Sequence, residues 1–424
     1  MRIVVNTFGS RGDIQPYIAL GLGLQSAGHS VRIVTHHIFE AFVRQHGLDA
    51  CLLDIDPQQV LANQALAELG NNTVRIHRWM QENFRPALRA IFKVTLEAAQ
   101  GADLMLNSGL SFAGWHVAER LHMPALGVSL WPMIPSRHLP PFIGAMPPAW
   151  LPFHGEMGYW YGRLANQLFF ALLMPAVNQC RKEILNLAPM RMREYWRLDS
   201  PRTPASMIYG FSPTVIPKPP DWGDNQQIAG YWFLDEAKDY NQPPSLMDFL
   251  EAGPPPVCIG FGSMVEQARR QLEETILEAL AAGGQRAVIL GGWSDLGSRE
   301  LPNSIFRLEA VPHDWLFPRV AAVIHHGGAG TTAAGLRAGR SSVIVPSFGD
   351  QFFWGARVAK LGAGPLPIPR NKLTAGKLAR AIEQVVSSQA IRTAATQIGR
   401  RIEAEDGIEA AVGMIERFAH SGNL

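Results

Sequence analysis

His325-His326-Gly327-Gly328-Ala329-Gly330-Thr331-Thr332 is the stretch on which the reading of this chain turns. The apolar run Val320–Ile324 before it predicts a buried parallel strand, and Thr332–Ala338 after it predicts a helix start. Glycines between a strand and a helix let the backbone close on a ligand. The helix N-terminus beyond them offers unpaired N–H donors and a positive dipole end. That geometry holds phosphate. His325, Gly328, Gly330, Thr331 and Thr332 around it suit a diphosphate that must depart carrying negative charge. The turn is not a Walker loop, since no Lys follows the glycines, nor a G-x-G-x-x-G fingerprint. Alone, it reads equally as a structural glycine turn.

About twenty residues on, Ser342-Val343-Ile344-Val345-Pro346-Ser347-Phe348-Gly349-Asp350-Gln351 predicts another strand, ending in a carboxylate beside an amide. Ligands of open α/β sheets sit outside the carboxyl ends of strands. Asp350 and Gln351 would therefore face the same site, and their acceptors and donors suit sugar hydroxyls. An ordinary solvated loop is the competing reading.

With Val311-Pro312-His313-Asp314-Trp315-Leu316, these motifs resemble the donor-binding signature of nucleotide-sugar glycosyltransferases of the two-Rossmann (GT-B) type, and most of all the sterol glucosyltransferase-like group. Phe8-Gly9-Ser10-Arg11-Gly12-Asp13-Ile14-Gln15-Pro16 resembles that group's acceptor-domain loop, and Phe261-Gly262-Ser263-Met264 resembles the loop opening its second domain. The resemblance implies an α/β fold of two facing Rossmann-like domains, each with a parallel sheet flanked by helices. It places a catalytic base at Asp13 and acceptor contacts at Ser10 and Arg11. It gives His325 and Ser263 contacts to the diphosphate, and the Val311 backbone a contact to the base. Two positions depart from plant relatives: Ala310 replaces the tryptophan that stacks on uracil, and Trp354 replaces the asparagine after their Asp-Gln pair.

The 424 residues are comfortable for two domains, and 47% hydrophobic against 17% charged residues supply ample core. A net charge of +2 with no basic run among aromatics argues against nucleic acid. Cys51, Cys180 and Cys258 are scattered, as expected of reduced cytosolic thiols. The first residues read as a strand rather than a signal peptide, and Leu168–Met174, stopped by Pro175, is too short to span a bilayer. A cytoplasmic protein is the expectation.

The βα alternation predicts a first domain over 1–210, a proline-rich connection over 211–256 and a second domain over 257–400. In the first, Pro16–Ala27 is a predicted helix. At the end, Ile391–Phe418 is read as helical, its last part (401–424) packing back on the first domain, as the resemblance implies. The Trp131–Trp160 stretch holds seven prolines and six aromatics. Trp131, Phe142 and Trp150 are therefore expected to wall a greasy acceptor pocket, with a shallow membrane-facing surface or core under a long loop as alternatives.

Asp13 can take the proton of an attacking hydroxyl, or simply cap a helix. Consecutive strand residues face opposite ways, so His325 and His326 are poorly placed to chelate one ion, and His326 is expected to be packed or supporting. Asp54-Ile55-Asp56 spells a D-x-D but is read as a surface turn. No metal or other cofactor is expected, only a UDP-sugar co-substrate and a lipophilic alcohol, with peripheral membrane contact left open. The expected reaction is inverting transfer of a hexose. The competing readings are a dTDP-sugar on a lipid or natural-product aglycone, and a non-catalytic lipid-binding protein. A nicotinamide dehydrogenase is set aside, because Gly9-x-x-Gly12 is not its fingerprint.

Overall fold

The computed structural model describes residues 1–55, 82, 85–109, 111–140, 153–191, 206–238, 240–261, 266–291, 301–347 and 349–421, with only the backbone of 169 and 266–270. The chain divides into two units. Met1–Leu234 with Asp406–Leu424 forms one, and Asp235–Glu405 the other.

In the first unit the order is β1 (Arg2–Asn6), α1 (Arg11–Ser26), β2 (Ser30–His36), α2 (Glu40–Arg44), β3 (Asp49–Leu53), α3 (Arg85–Ala98), β4 (Leu104–Ser108), α4 (Phe112–Leu121), β5 (Ala125–Ser129), α5 (His154–Glu183), β6 (Met207–Tyr209) and β7 (Gln226–Ile228). Its described strands form one parallel sheet in the order β3-β2-β1-β4-β5-β6-β7. The order reverses between β1 and β4, which makes their carboxyl ends the crevice of the sheet. Ile3, Val4 and Val5 are all but inaccessible, as strands covered on both faces must be.

In the second unit α6 (Pro244–Glu251), β8 (Val257–Gly260), α7 (Glu266–Gly283), β9 (Ala287–Leu290), β10 (Ile305–Leu308), α8 (His313–Leu316), β11 (Ala322–His325), α9 (Ala329–Arg337), β12 (Ser341–Ile344), α10 (Gln351–Lys360), α11 (Ala375–Ser387) and α12 (Gln389–Glu403) follow one another. The parallel order is β10-β9-β8-β11-β12. Val257, Ile259, Ile324 and Val343 meet Ile276 of α7 and Ile382 of α11 in its core. Two parallel sheets flanked by helices are the α/β architecture expected.

Three local readings need correction. Helix α1 begins at Arg11, so Pro16 lies inside it. Helix α5 likewise runs through Pro175, the residue read as a stop. The helical stretch 391–418 is two helices: α12 ends at Glu403 and α13 (Gly407–Ser421) begins afresh, with Glu409 N–H bonded to Asp406 Oδ1 at 2.9 Å. Helix α13 belongs to the first unit. There the Glu416 carboxylate meets His29 Nε2 at 3.0 Å, and Ile408 lies against Gly23 of α1.

Candidate active site

In the first unit the loop after β1 is wound tightly around Asp13. Ser10 is the N-cap of α1 and Asp13 its third residue, and together they close a capping box. Asp13 Oδ2 accepts from the Ser10 N–H at 2.8 Å and from its hydroxyl at 2.9 Å. Oδ1 has no hydrogen-bond partner among the described residues. The competing reading of Asp13 as a helix cap is thus part of the structure, though with Ser10 as the cap residue and one oxygen left over. Burial raises the Asp13 pKa above the usual carboxylate value, against the pull of the two Ser10 hydrogen bonds. Gly9 has φ +133°, and a Cβ there would stand 2.5 Å from Asp13 Oδ2, so glycine is what lets the loop close.

His36, which sequence reasoning passed over, holds this loop from β2. Its Nδ1 donates to the Ile55 carbonyl at 2.7 Å, so Nε2 is left to accept the Gly9 N–H at 3.3 Å. Thr7 Oγ1 bonds the Asp13 carbonyl at 2.6 Å, which ties the start of α1 to the end of β1. Ser10 and Arg11 are exposed, Arg11 over the Phe42 ring at 4.7 Å. Trp131 is buried, whereas Phe142 and Trp150 lie outside the described residues. Phe153 and Trp160, from the same aromatic stretch, are 79% and 60% exposed, so they wall no interior pocket.

In the second unit the glycine turn after β11 opens α9, with Gly328 as N-cap. The N–H groups of Ala329, Gly330 and Thr331 stand in the first turn, where no helical carbonyl can reach them. Space beside Gly330 is open. The half-exposed Thr331 hydroxyl makes no hydrogen bond among the described residues. Thr332 differs: it is fully buried, and its hydroxyl donates to the Gly328 carbonyl at 2.8 Å. That hydroxyl is committed to the helix, which removes Thr332 from the expected phosphate contacts.

The two histidines also part company. His325 is the last residue of β11, a strand paired on both edges, and its side chain is wholly buried. Its Nδ1 accepts the Gly327 N–H at 3.1 Å, which leaves the proton on Nε2, and burial pushes its pKa well below the ordinary value. It is a neutral brace under the turn. His326 comes one residue later and is only partly buried. Its Nε2 lies over Gly328, 2.6 Å from where a Cβ would be. Its Nδ1 is buried without a partner among the described residues, and burial lowers its pKa as well. The ring at the mouth of α9 is therefore His326.

The turn after β12 abuts the first. Gly327, at φ +94°, has Gln351 O and Ile344 Cγ2 within 3 Å of the Cβ position, so no side chain fits between the two turns. Asp350 Oδ2 accepts from Trp354 Nε1 at 3.1 Å, and buried Gln351 accepts the Ser347 N–H through Oε1 at 2.8 Å. The pair does lie beside the phosphate turn, but each side chain also braces its own loop. Val311 is buried against Trp315, Leu316 and Phe317. Ser263 and Asp56 lie outside the described residues, and Asp54 is a fully exposed partner of His37 at 3.6 Å. Among the described residues there is no group of three His, Cys, Asp or Glu able to hold a metal ion.

Known proteins share this fold and these sequence segments. The glycosyltransferase family 28 N-terminal domain matches residues 3–139, and the erythromycin biosynthesis protein CIII-like C-terminal domain matches 276–412. Among solved structures, the calicheamicin glycosyltransferase CalG4 superposes with a TM-score of 0.70 at 18% identity, covering 99% of this chain and 98% of its own. The glycosyltransferase VinC, solved with dTDP, gives 0.69 at 20% identity, covering 99% and 100%. That likeness defines the class, the two-Rossmann glycosyltransferase fold. Sterol 3-beta-glucosyltransferase UGT80B1 of Arabidopsis thaliana is 35% identical over 98% of this chain, which spans 68% of that relative. The sterol 3-beta-glucosyltransferase of Aspergillus fumigatus is 36% identical over 98% of this chain, which spans 30% of its length. The chain belongs to the sterol glucosyltransferase-like family of glycosyltransferases. Among the described residues no helix is long and apolar enough to cross a membrane.

Proposed function

We propose that this protein transfers glucose from UDP-glucose to the hydroxyl of a sterol or a similar lipophilic alcohol, inverting the anomeric carbon. The observation that supports it most is the 35% identity to a sterol 3-beta-glucosyltransferase across 98% of the chain.

In this reading the acceptor gives its proton to Asp13 Oδ1 while its oxygen attacks the anomeric carbon. The bond from that carbon to the diphosphate breaks, and its electron pair leaves with UDP. A raised carboxylate pKa favours proton uptake by the base. The amides of Ala329, Gly330 and Thr331, the Thr331 hydroxyl and His326 hold the departing charge, with His325 fixing the turn from below. Ser263 and the Val311 backbone remain donor contacts, and Asp350 and Gln351 bind the hexose once their loop bonds rearrange. Helix amides and imidazole provide the charge stabilisation, so no metal is required.

The test is product formation. Purified protein with UDP-glucose and cholesterol should yield steryl glucoside by mass spectrometry, equally with and without EDTA. No product from any of UDP-, dTDP- or GDP-sugars across a lipophilic alcohol panel would refute the reading. Loss on chelation with recovery on manganese would refute metal independence.

A further inference from the structure

The carboxyl end of β4 carries polar groups that the fold leaves unused. Asn107, Ser108 and Ser111 are 1%, 7% and 2% exposed. Asn107 Nδ2 and both serine hydroxyls have no hydrogen-bond partner among the described residues. Leaving a buried polar group unpaired is costly, so the two serines and the amide just before them need an explanation. Ser111 is the N-cap of α4, where a serine ordinarily accepts from the first turn, yet its side chain makes no capping bond. One turn holds both serines, closed by the Ser111 N–H on the Ser108 carbonyl at 2.9 Å.

The place of this turn gives it a purpose. In the β1–β4 ladder Asn6 pairs with Asn107, and Asn6 Nδ2 donates to Asn107 Oδ1 at 3.2 Å. Ser108 therefore falls opposite Thr7, whose hydroxyl holds the Asp13 carbonyl. The turn and the Asp13 loop thus flank the crevice where the sheet reverses. On its other side Gly109 lies against the buried Trp131, 2.8 Å from its Cβ position to the indole. Unpaired hydroxyls across the crevice from the Asp13 loop, with an indole against the same turn, match the polar end of a lipophilic alcohol.

We propose that Ser108 and Ser111 form the subsite that reads the acceptor's hydroxyl; the Asn107 side chain lies on the other face of the sheet, against Gly114 of α4 and Asn6. The inference rests on the reading of the protein as a transferase to such an alcohol. A hydroxyl oxygen has one proton and two lone pairs. The proton goes to Asp13, one lone pair is held by one of these two serine hydroxyls, and the other stays free to attack. A site built this way discriminates strongly against an analogue lacking the hydroxyl, because its own polar groups are then stranded.

The test compares the parent with Ser108→Ala, Ser111→Ala and the double variant. Binding is measured to cholesterol and to cholest-5-ene, which lacks the 3-hydroxyl, in identical detergent micelles. Parent protein should prefer cholesterol, and the double variant should lose about tenfold in that preference and in kcat/KM. Its melting temperature should be equal or higher, because a stranded hydroxyl has been removed, and Ser108→Thr should recover activity. Lower melting temperature with parental preference and kcat/KM would mean that water satisfies these groups, and would overturn the inference. If the parent makes steryl glucoside and the variants match it, this inference alone falls. If the parent makes none from any donor, the functional reading falls first.

Discussion

At Asp13 two roles meet in one carboxylate. Oδ2 closes the capping box with Ser10, and Oδ1 remains for the proposed proton transfer. Asp13→Asn preserves the acceptor that the box needs and removes the base, so it should lose at least about a hundredfold in transfer. Its stability carries a sign that a cap alone would not give. The folded-state pKa is raised by burial, so ionisation costs the fold something. That cost is absent below the ordinary carboxylate pKa, sets in as pH rises, and is complete above the raised value. Asp13→Asn should therefore melt at or above the parent at pH 8, with the difference shrinking toward pH 4. A variant that melts lower at pH 8 and keeps parental turnover would reduce Asp13 to its cap. The histidines separate in the same way. His326→Ala should weaken UDP binding about tenfold in calorimetry with little change in melting temperature, since its ring makes no hydrogen bond among the described residues. His325→Ala should lower the melting temperature, because it leaves a void under the turn and an unpaired Gly327 N–H. Equal UDP affinity in His326→Ala and parent would take that residue out of the donor site.

At the scale of the element, the strand–turn–helix units were legible from apolar runs and glycines, because parallel strands buried on both faces leave that signature. The choice between adjacent histidines was not. The alternation rule separates His325 from His326 without saying which side holds the ligand, and β11 is buried on both faces. Thr331 and Thr332 pose the same problem in a helix. Adjacent positions lie about 100° apart, so only one can stand at the mouth of α9. Thr332 bonds back to Gly328 while Thr331 faces outward. Thr331→Val should therefore raise the donor KM severalfold with an unchanged melting temperature, and Thr332→Val should leave KM near parental. The reverse pattern would return the phosphate contact to Thr332. Proline misled at α1 and α5 because a lost N–H is tolerated where packing holds the rest of the helix. The serines at the carboxyl end of β4 escaped notice because a small hydroxyl at a turn carries no periodic signal. Only the missing partner identifies them.

Across the whole molecule, the chain's last helix returns to its first unit, and one contact decides whether it can. Gly23 sits mid-helix in α1, where glycine is about 1 kcal/mol worse than alanine. A Cβ there would run into Ile408 Cγ2 of α13 and stand 3.4 Å from Val412 Cγ2. Substituting Gly23 thus sets helix propensity against packing. Propensity favours the larger residue by less than about 1 kcal/mol for a β-branched side chain, whereas overpacking typically costs about 1–3 kcal/mol. Packing should win for Gly23→Val, which should melt lower and release α13 to proteolysis near Asp406. Ile408→Ala clears the space and, since Ile408 is only partly buried, should cost little alone. In the double variant the two effects should not add: much of the Gly23→Val loss should be recovered, a coupling of roughly 0.5–3 kcal/mol. Additive losses in that cycle would mean that α13 is held by its other contacts, the Glu416–His29 pair among them, and that Gly23 merely accommodates it.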